Sequence, residues 1–310
     1  MSCKIILDTT GPVNPGATIY GRIECIVNTE QFIREIRCKL VGNEHTTIKS
    51  AKDTYEGHNE FLNLKMSLIG EGTLEPGQHE YPFCFTIPKD LPSSFQTEYG
   101  FVRYFIKATV NIPYASDYID EVAIPVTAII DLNNIKEELQ TKPISFQNEK
   151  TVCCLCCAGG EISMTLRLEK DAFILGEEAK IILDVSNMSR ISIEEINLTL
   201  IRIMDFKTQG IRYEKTKEVL ITETELGVGA HGQKTLFITF KIPQSIVIQN
   251  LVKCNLIKES FRLRVEAGLP LLHRNLVIDT FIKLGHVALN ATTNLDEIEN
   301  ILPPPYQERY

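Results

Sequence analysis

Four thiols crowd into five residues at "TVCCLCC": Cys153, Cys154, Cys156 and Cys157. The run holds two overlapping C-x-x-C spacings, and thiolates so spaced are ligands for a borderline-soft cation such as zinc. A structural zinc site draws its ligand pairs from two separated knuckles. Here one short segment would have to surround a tetrahedral ion alone, with neither a second pair nor a suitable nearby histidine. S-acylation is the second chemistry open to the run, since two acyl chains hold a peripheral protein to a membrane where one only dwells. Plain structural thiols are the third. No resident metal and no cofactor is expected.

The other chemical signal lies at the end of the chain, in "ILPPPYQERY". Pro303, Pro304, Pro305 and Tyr306 fit the pattern P-P-x-Y. Prolines rest in the polyproline II conformation, so little ordering entropy is lost when their rings enter an aromatic groove of the WW-domain kind. Tyr306 adds a flat apolar face and a hydroxyl that sets the register. Pro303, Pro304 and Tyr306 are therefore the expected WW-domain-binding residues. Just before them, Asn294 and Glu297 suit the cap of a short helix that Pro303 would end.

Catalytic frames are missing from the text. His45, His58, His79, His231, His273 and His286 are scattered singly, and no G-x-S-x-G, Walker loop or G-x-G-x-x-G is found. No catalytic residue is expected, and the chain reads as a non-enzyme. The formal net charge of −8 excludes a basic footprint for nucleic acid at whole-chain level. The opening "MSCKIILDTTGP" has no charged start followed by an apolar core, and no run is long enough to cross a bilayer. A soluble, cytosolic chain is expected, with its nine cysteines as free thiols, metal ligands or acylation sites rather than disulfides. Cys25, Cys38, Cys84 and Cys254 fall on or beside strand patterns, where small core or sheet residues are the default.

The elements that carry these signals are strands. Apolar residues recur with period two through most of the chain, interrupted by turn dipeptides, which predicts an all-β protein. From Thr18 to Val27 the odd positions Ile19, Ile23, Cys25 and Val27 share one face, after an "NPGA" turn in which Gly16 takes a positive φ. The pattern returns in the second half, with Gly176 in the place of Gly16 and Ile181, Leu183 and Val185 in phase. "IREIRCKL" from Ile33 is answered by "IEEINLTL" from Ile193, and "GQHEYPFCFTIP" from Gly77 by "GQKTLFITFKIP" from Gly232. A last pair sets "VRYFIKA" from Val102 against "FRLRVEA" from Phe261. Since a one-residue slip reverses every inward face, agreement in phase across four pairs predicts two antiparallel β-sandwiches of one topology. The boundaries expected are 1–131 and 159–287 for the sandwiches, 132–158 for a polar hinge linker carrying the cysteine run, and 288–310 for a short tail.

Two tandem sandwiches, "HEYPFCFTIPKDLPSSFQTEYGFVRYFIKATV" in the first, "KTVCCLCC" at the joint and "PPPY" in the tail together resemble the α-arrestins, the arrestin-domain-containing proteins. The resemblance implies an adaptor that docks on membrane receptor or transporter cargo. It recruits HECT-type ubiquitin ligases through their WW domains and promotes ubiquitination, endocytosis and endosomal sorting. It implies a cytoplasmic protein, peripheral at plasma membrane and endosomes. Family members commonly carry a long tail with several P-P-x-Y copies, where this chain has one, and the concentrated Lys/Arg with which visual and β-arrestins grip receptor phosphates is not seen; Lys4 stands nearly alone on the first strand. The alternative is an arrestin-fold scaffold of endosomal sorting, resembling the retromer subunit of that shape, in which the tail motif is incidental.

Overall fold

The computed structural model describes residues 1–8, 11–139, 143–154, 157–210, 213–270 and 273–289. The expected tail motif and the helix before it lie outside the described residues. No helix among the described residues is long and apolar enough to cross a membrane.

The strands β1 (Ser2–Leu7), β2 (Thr18–Val27), β3 (Gln31–Ile33), β4 (Glu35–Lys49) and β5 (Thr54–Ile69) open the chain. They are followed by β6 (Gly72–Leu74), β7 (Gly77–Thr86), β8 (Phe95–Gln96), β9 (Gly100–Asn111) and β10 (Tyr118–Ile124). One sheet has the order β1-β2-β7 and the other β10-β9-β4-β5, with β8 added to β9 and a β3–β6 ribbon beside them. Inward residues of both sheets meet in one core, with Ile19, Ile23, Phe83 and Phe85 from the first and Ile36, Leu40, Tyr104 and Ile106 from the second. These are the positions that the alternation assigns to the interior, and each large aliphatic contributes roughly 1.5–3 kcal/mol on full burial.

After a 3-10 helix at Leu132–Glu138 the chain continues as β11 (Ile144–Cys154), β12 (Cys157–Leu168), β13 (Ala172–Ile174) and β14 (Glu178–Asn187). Then come β15 (Glu195–Lys207), β16 (Tyr213–Leu226), β17 (Gly232–Lys241), β18 (Ile257–Gly268) and β19 (Leu276–Gly285). The sheet orders are β11-β12-β14-β17 and β13-β19-β18-β15-β16. β12-β14-β17 thus repeats β1-β2-β7, and β19-β18-β15-β16 repeats β10-β9-β4-β5.

The repeat extends to single hydrogen bonds. Gly16 donates its N–H to the Ile87 carbonyl at 2.8 Å, and Gly176 donates to Ile242 at 3.0 Å. Both glycines turn the chain at positive φ, +90° and +85°, where a side chain would be strained. The isolated parallel bridge Val13–Val126 has its counterpart in the parallel pairing of Phe173 with Leu284.

The last strand pair differs from the expected alignment. Tyr104 lies opposite Ile124 and Phe261 opposite Ile282, so Tyr104 answers Phe261, one pleat away from the match made on the text. A slip of one full pleat leaves the inward phase unchanged, which is why alternation does not register it. Within the stretch expected to connect the halves, Ile144–Cys154 is the strand β11, paired with β12 at the edge of its sheet.

By packing, the chain divides into two compact units whose membership does not follow chain order. One comprises Met1–Ile129, Met204–Thr216 and Gln249–Glu259, and the other Ile130–Ile203, Lys217–Ile248 and Ser260–Tyr310.

Candidate functional site

The structure places part of the cysteine run at the end of the β11–β12 hairpin. Cys154 pairs with Cys157 and Cys153 with Ala158, after a bulge between Thr151 and Cys153. Cys156 and the tail residues Pro303, Pro304 and Tyr306 lie outside the described residues. Among the described residues no group of three or more His, Cys, Asp or Glu side chains is arranged to hold a metal.

The remaining cysteines divide by strand register. Cys3 on β1 and Cys25 on β2 are directly opposite one another and joined as a disulfide, with Cα atoms 4.2 Å apart. This corrects the expectation that every cysteine is unpaired and Cys25 a plain core thiol. The pairing follows from lateral register, which a separation of 22 residues along the chain does not disclose. Cys38 is buried in the core, where loss of solvent pushes its thiol up to about 12. Cys254 is also buried, and its thiol is pushed up first by that burial and then by the charge and hydrogen bond of Glu44. Cys84 points outward from β7 and is exposed. Of these three, brief maleimide treatment of the native protein should label Cys84 alone, with Cys38 and Cys254 reacting only after denaturation. Mass mapping of the labelled peptides checks this, and native labelling of Cys38 would contradict the burial.

His45 Nε2 lies 3.1 Å from the Thr47 hydroxyl. β4–β5 pairing sets His45 opposite His58, their ring centroids 6.4 Å apart, while His45 stacks on Phe101 at 5.2 Å. His286 accepts the N–H of Ile130 through Nδ1, and burial holds its pKa below the usual histidine value.

The most unusual group in the first unit is one that sequence reasoning passed over. Glu44 is completely buried on the inward face of β4, in phase with Ile36, Cys38 and Leu40. Its Oε1 accepts the N–H of Asn255 at 2.6 Å and the Asn59 amide at 2.9 Å. Oε2 accepts the N–H groups of Leu256 at 3.0 Å and Ile257 at 3.3 Å. One carboxylate thus satisfies three consecutive main-chain donors of a segment from the other half of the chain. Alongside, Thr46 donates its hydroxyl to the Lys207 carbonyl, and Lys207 N–H donates to Leu256 at 2.8 Å. Gly57 permits this approach, since a Cβ there would lie 2.6 Å from Thr46 Oγ1 and 3.0 Å from the Lys207 carbonyl. Phe206 then enters the core beside Tyr99, their rings 5.4 Å apart. The available signal was a charged residue in the inward phase of an otherwise apolar strand.

Comparison with known proteins agrees with this architecture. Residues 3–133 match the family described as arrestin (or S-antigen), N-terminal domain, and residues 158–289 match the arrestin (or S-antigen), C-terminal domain. Among curated proteins, the chain is 22% identical to arrestin domain-containing protein 1 of Rattus norvegicus over 90% of its own length. It is 28% identical to arrestin domain-containing protein 4 of Homo sapiens, with 91% of this chain and 71% of the relative covered. The chain belongs to the α-arrestins. Its fold is two tandem arrestin domains, all-β, with sheets that are antiparallel apart from the short parallel pair β13–β19. This α-arrestin spans 62% of the rat relative's length, and 63% of arrestin domain-containing protein 17 of Caenorhabditis elegans at 26% identity.

Proposed function

We propose that this α-arrestin is a non-catalytic trafficking adaptor that brings a WW-domain HECT-type ubiquitin ligase to membrane receptor or transporter cargo, promoting ubiquitination, endocytosis and endosomal sorting. The observation that carries the reading is the placement of Pro303-Pro304-Pro305-Tyr306 beyond a pair of arrestin domains. The two sandwiches contact cargo, the tail engages the ligase, and the protein works from the cytoplasm at plasma membrane and endosomes. Cys153, Cys154, Cys156 and Cys157, near the joint at 132–158, are acylated to prolong membrane residence; intact-mass and thioester analysis of the cellular protein tests that part separately. The strongest shifts among the described titratable groups, at Cys38, Tyr104 and Cys254, all come first from burial in the core and favour uncharged forms, which suits a scaffold better than a reactive centre.

A single P-P-x-Y copy binds a WW domain at roughly −5 to −8 kcal/mol, that is with micromolar to sub-millimolar Kd. Useful residence then requires a second contact, from several WW domains on one ligase or from joint capture of cargo. A peptide of residues 299–310 should bind an isolated WW domain of such a ligase, and Tyr306→Ala should weaken it at least tenfold. In cells, deletion after Leu302 should abolish co-precipitation with the ligase. Equal titration curves for the two peptides, with co-precipitation kept by the truncated chain, would favour a sorting scaffold whose tail is incidental.

A further inference from the structure

The outer face of the first unit's larger sheet carries a row of like charges that its own duplicate lacks. Strand register sets Lys39 of β4 directly opposite Lys65 of β5 on one side and Lys107 of β9 on the other. Arg37 stands on the same face of β4, flanked by Ser67 and Thr109. Like charges directly opposite one another on adjacent strands destabilise a sheet. No carboxylate forms an ion pair with Lys39, Lys65 or Lys107 among the described residues, although Glu121 faces Lys107 across β10. Arg37 does hold Glu35 through Nη1, but its buried Nε finds no acceptor. Arg37, Lys39 and Lys107 line a cleft of about 300 Å³. The two carboxylates on its wall are engaged by amides, Glu60 by Asn63 and Asp117 by Asn111.

The second unit carries the equivalent row with different residues. Arg34 N–H donates to the Asn111 carbonyl as Glu194 N–H donates to Gly268, so β4 lies on β9 as β15 lies on β18. Thr199 then takes the place of Lys39, and its hydroxyl meets that of Thr222 at 3.2 Å. Arg264 takes the place of Lys107 and is neutralised by Asp279 through two bonds of 2.8 Å. With the carboxylate opposite the base counted in both units, the row is Thr222, Thr199, Arg264 and Asp279 on one fold, without net charge, and Lys65, Lys39, Lys107 and Glu121 on its duplicate, three lysines against one glutamate. Sheet stability does not account for that difference.

We propose that the cleft at Arg37, Lys39 and Lys107, together with Lys65 beside Lys39 on the same sheet face, binds a compact ligand bearing two or more closely spaced phosphates, either a soluble polyphosphate or the multiply phosphorylated headgroup of a lipid. Three ammonium groups on adjacent strands span about 10 Å at the backbone, a length that matches clustered phosphates. The row crosses the strands and sits in a recess, which suits a small polyanion better than an extended phosphopeptide or a flat anionic bilayer.

The full chain is titrated with inorganic tripolyphosphate and with orthophosphate in about 0.15 M salt, where exposed charges are already well screened. One saturable tripolyphosphate site is expected, at least tenfold tighter than orthophosphate. The double variant Lys39→Thr with Lys65→Thr, which installs the hydroxyl pair found in the second unit, should weaken it at least tenfold without lowering the ligand-free Tm. Lys107→Thr serves as the second variant should the double one melt early. Neutral vesicles doped with a multiply phosphorylated phospholipid distinguish the sources. Lysine-dependent recruitment competed by tripolyphosphate assigns the lipid headgroup, and no recruitment alongside tight tripolyphosphate binding assigns a soluble ligand. Unchanged affinity in the variants, or no saturable site, overturns the proposal. So does lysine-dependent binding of a multiply phosphorylated peptide, or of phosphatidylserine vesicles, that tripolyphosphate fails to displace.

Discussion

A fragment ending at Ile129 is expected to lose cooperative folding, although it contains nearly all of the N-terminal arrestin match. Met204, Phe206, Leu256 and Ile257 fill seats in the core of the first unit and come from the second half of the chain. At about 1.5–3 kcal/mol for each fully buried side chain, their loss removes roughly 6–12 kcal/mol. That is comparable with the whole stability of a domain, about 5–15 kcal/mol. The fragment also leaves Glu44 without its three main-chain donors, keeping only the Asn59 amide. Circular dichroism melting with dye binding to exposed apolar surface checks the expectation, and a sharp transition within a few degrees of the full chain's would refute it. Phe206→Ala in the full chain is the graded version, expected to cost about 3–5 kcal/mol in the transition of that unit.

Glu44→Ala should destabilise the first unit by about 3–5 kcal/mol, because it strands the N–H groups of Asn255, Leu256 and Ile257 where Leu256 and Ile257 are buried. At roughly 2–4 °C for each kcal/mol in a chain of this size, Tm falls by about 10 °C. Glu44→Gln keeps the shape but turns an amide donor toward those same donors, so it should recover only a minor part of the loss. Glu75→Ala, at an exposed carboxylate, should change stability by less than about 0.5 kcal/mol. Faster proteolysis within 249–259 in Glu44→Ala would show that this segment is what the carboxylate holds. A melting temperature equal to that of wild type would mean that water satisfies the three donors as well as Glu44 does.

The parts of the fold that were legible in the text are those written along a strand. The inward phases of Ile19–Val27, of Ile36–Leu40 and of their duplicates in the second half were correct, because one buried sheet face imposes alternation residue by residue. The match of Tyr104 to Phe261 was missed by one pleat, which alternation is blind to. β11 was hidden because it is an edge strand whose apolar contribution is small, with Ile144 and Phe146 only partly buried against the core. Glu44 was visible as an anomaly in the pattern, yet nothing local names partners at 255–257. Lys39, Lys65 and Lys107 are widely dispersed along the text and stand side by side only once the strands are paired.

Consecutive residues alone were enough to specify two related β bodies, since period-two burial is a local property of the chain. Folding in three dimensions settled which distant segments complete the first core, which cysteines meet, and which lysines form a row. Those outcomes depend on lateral register, and register is selected by the summed fit of whole faces rather than by any stretch read in isolation.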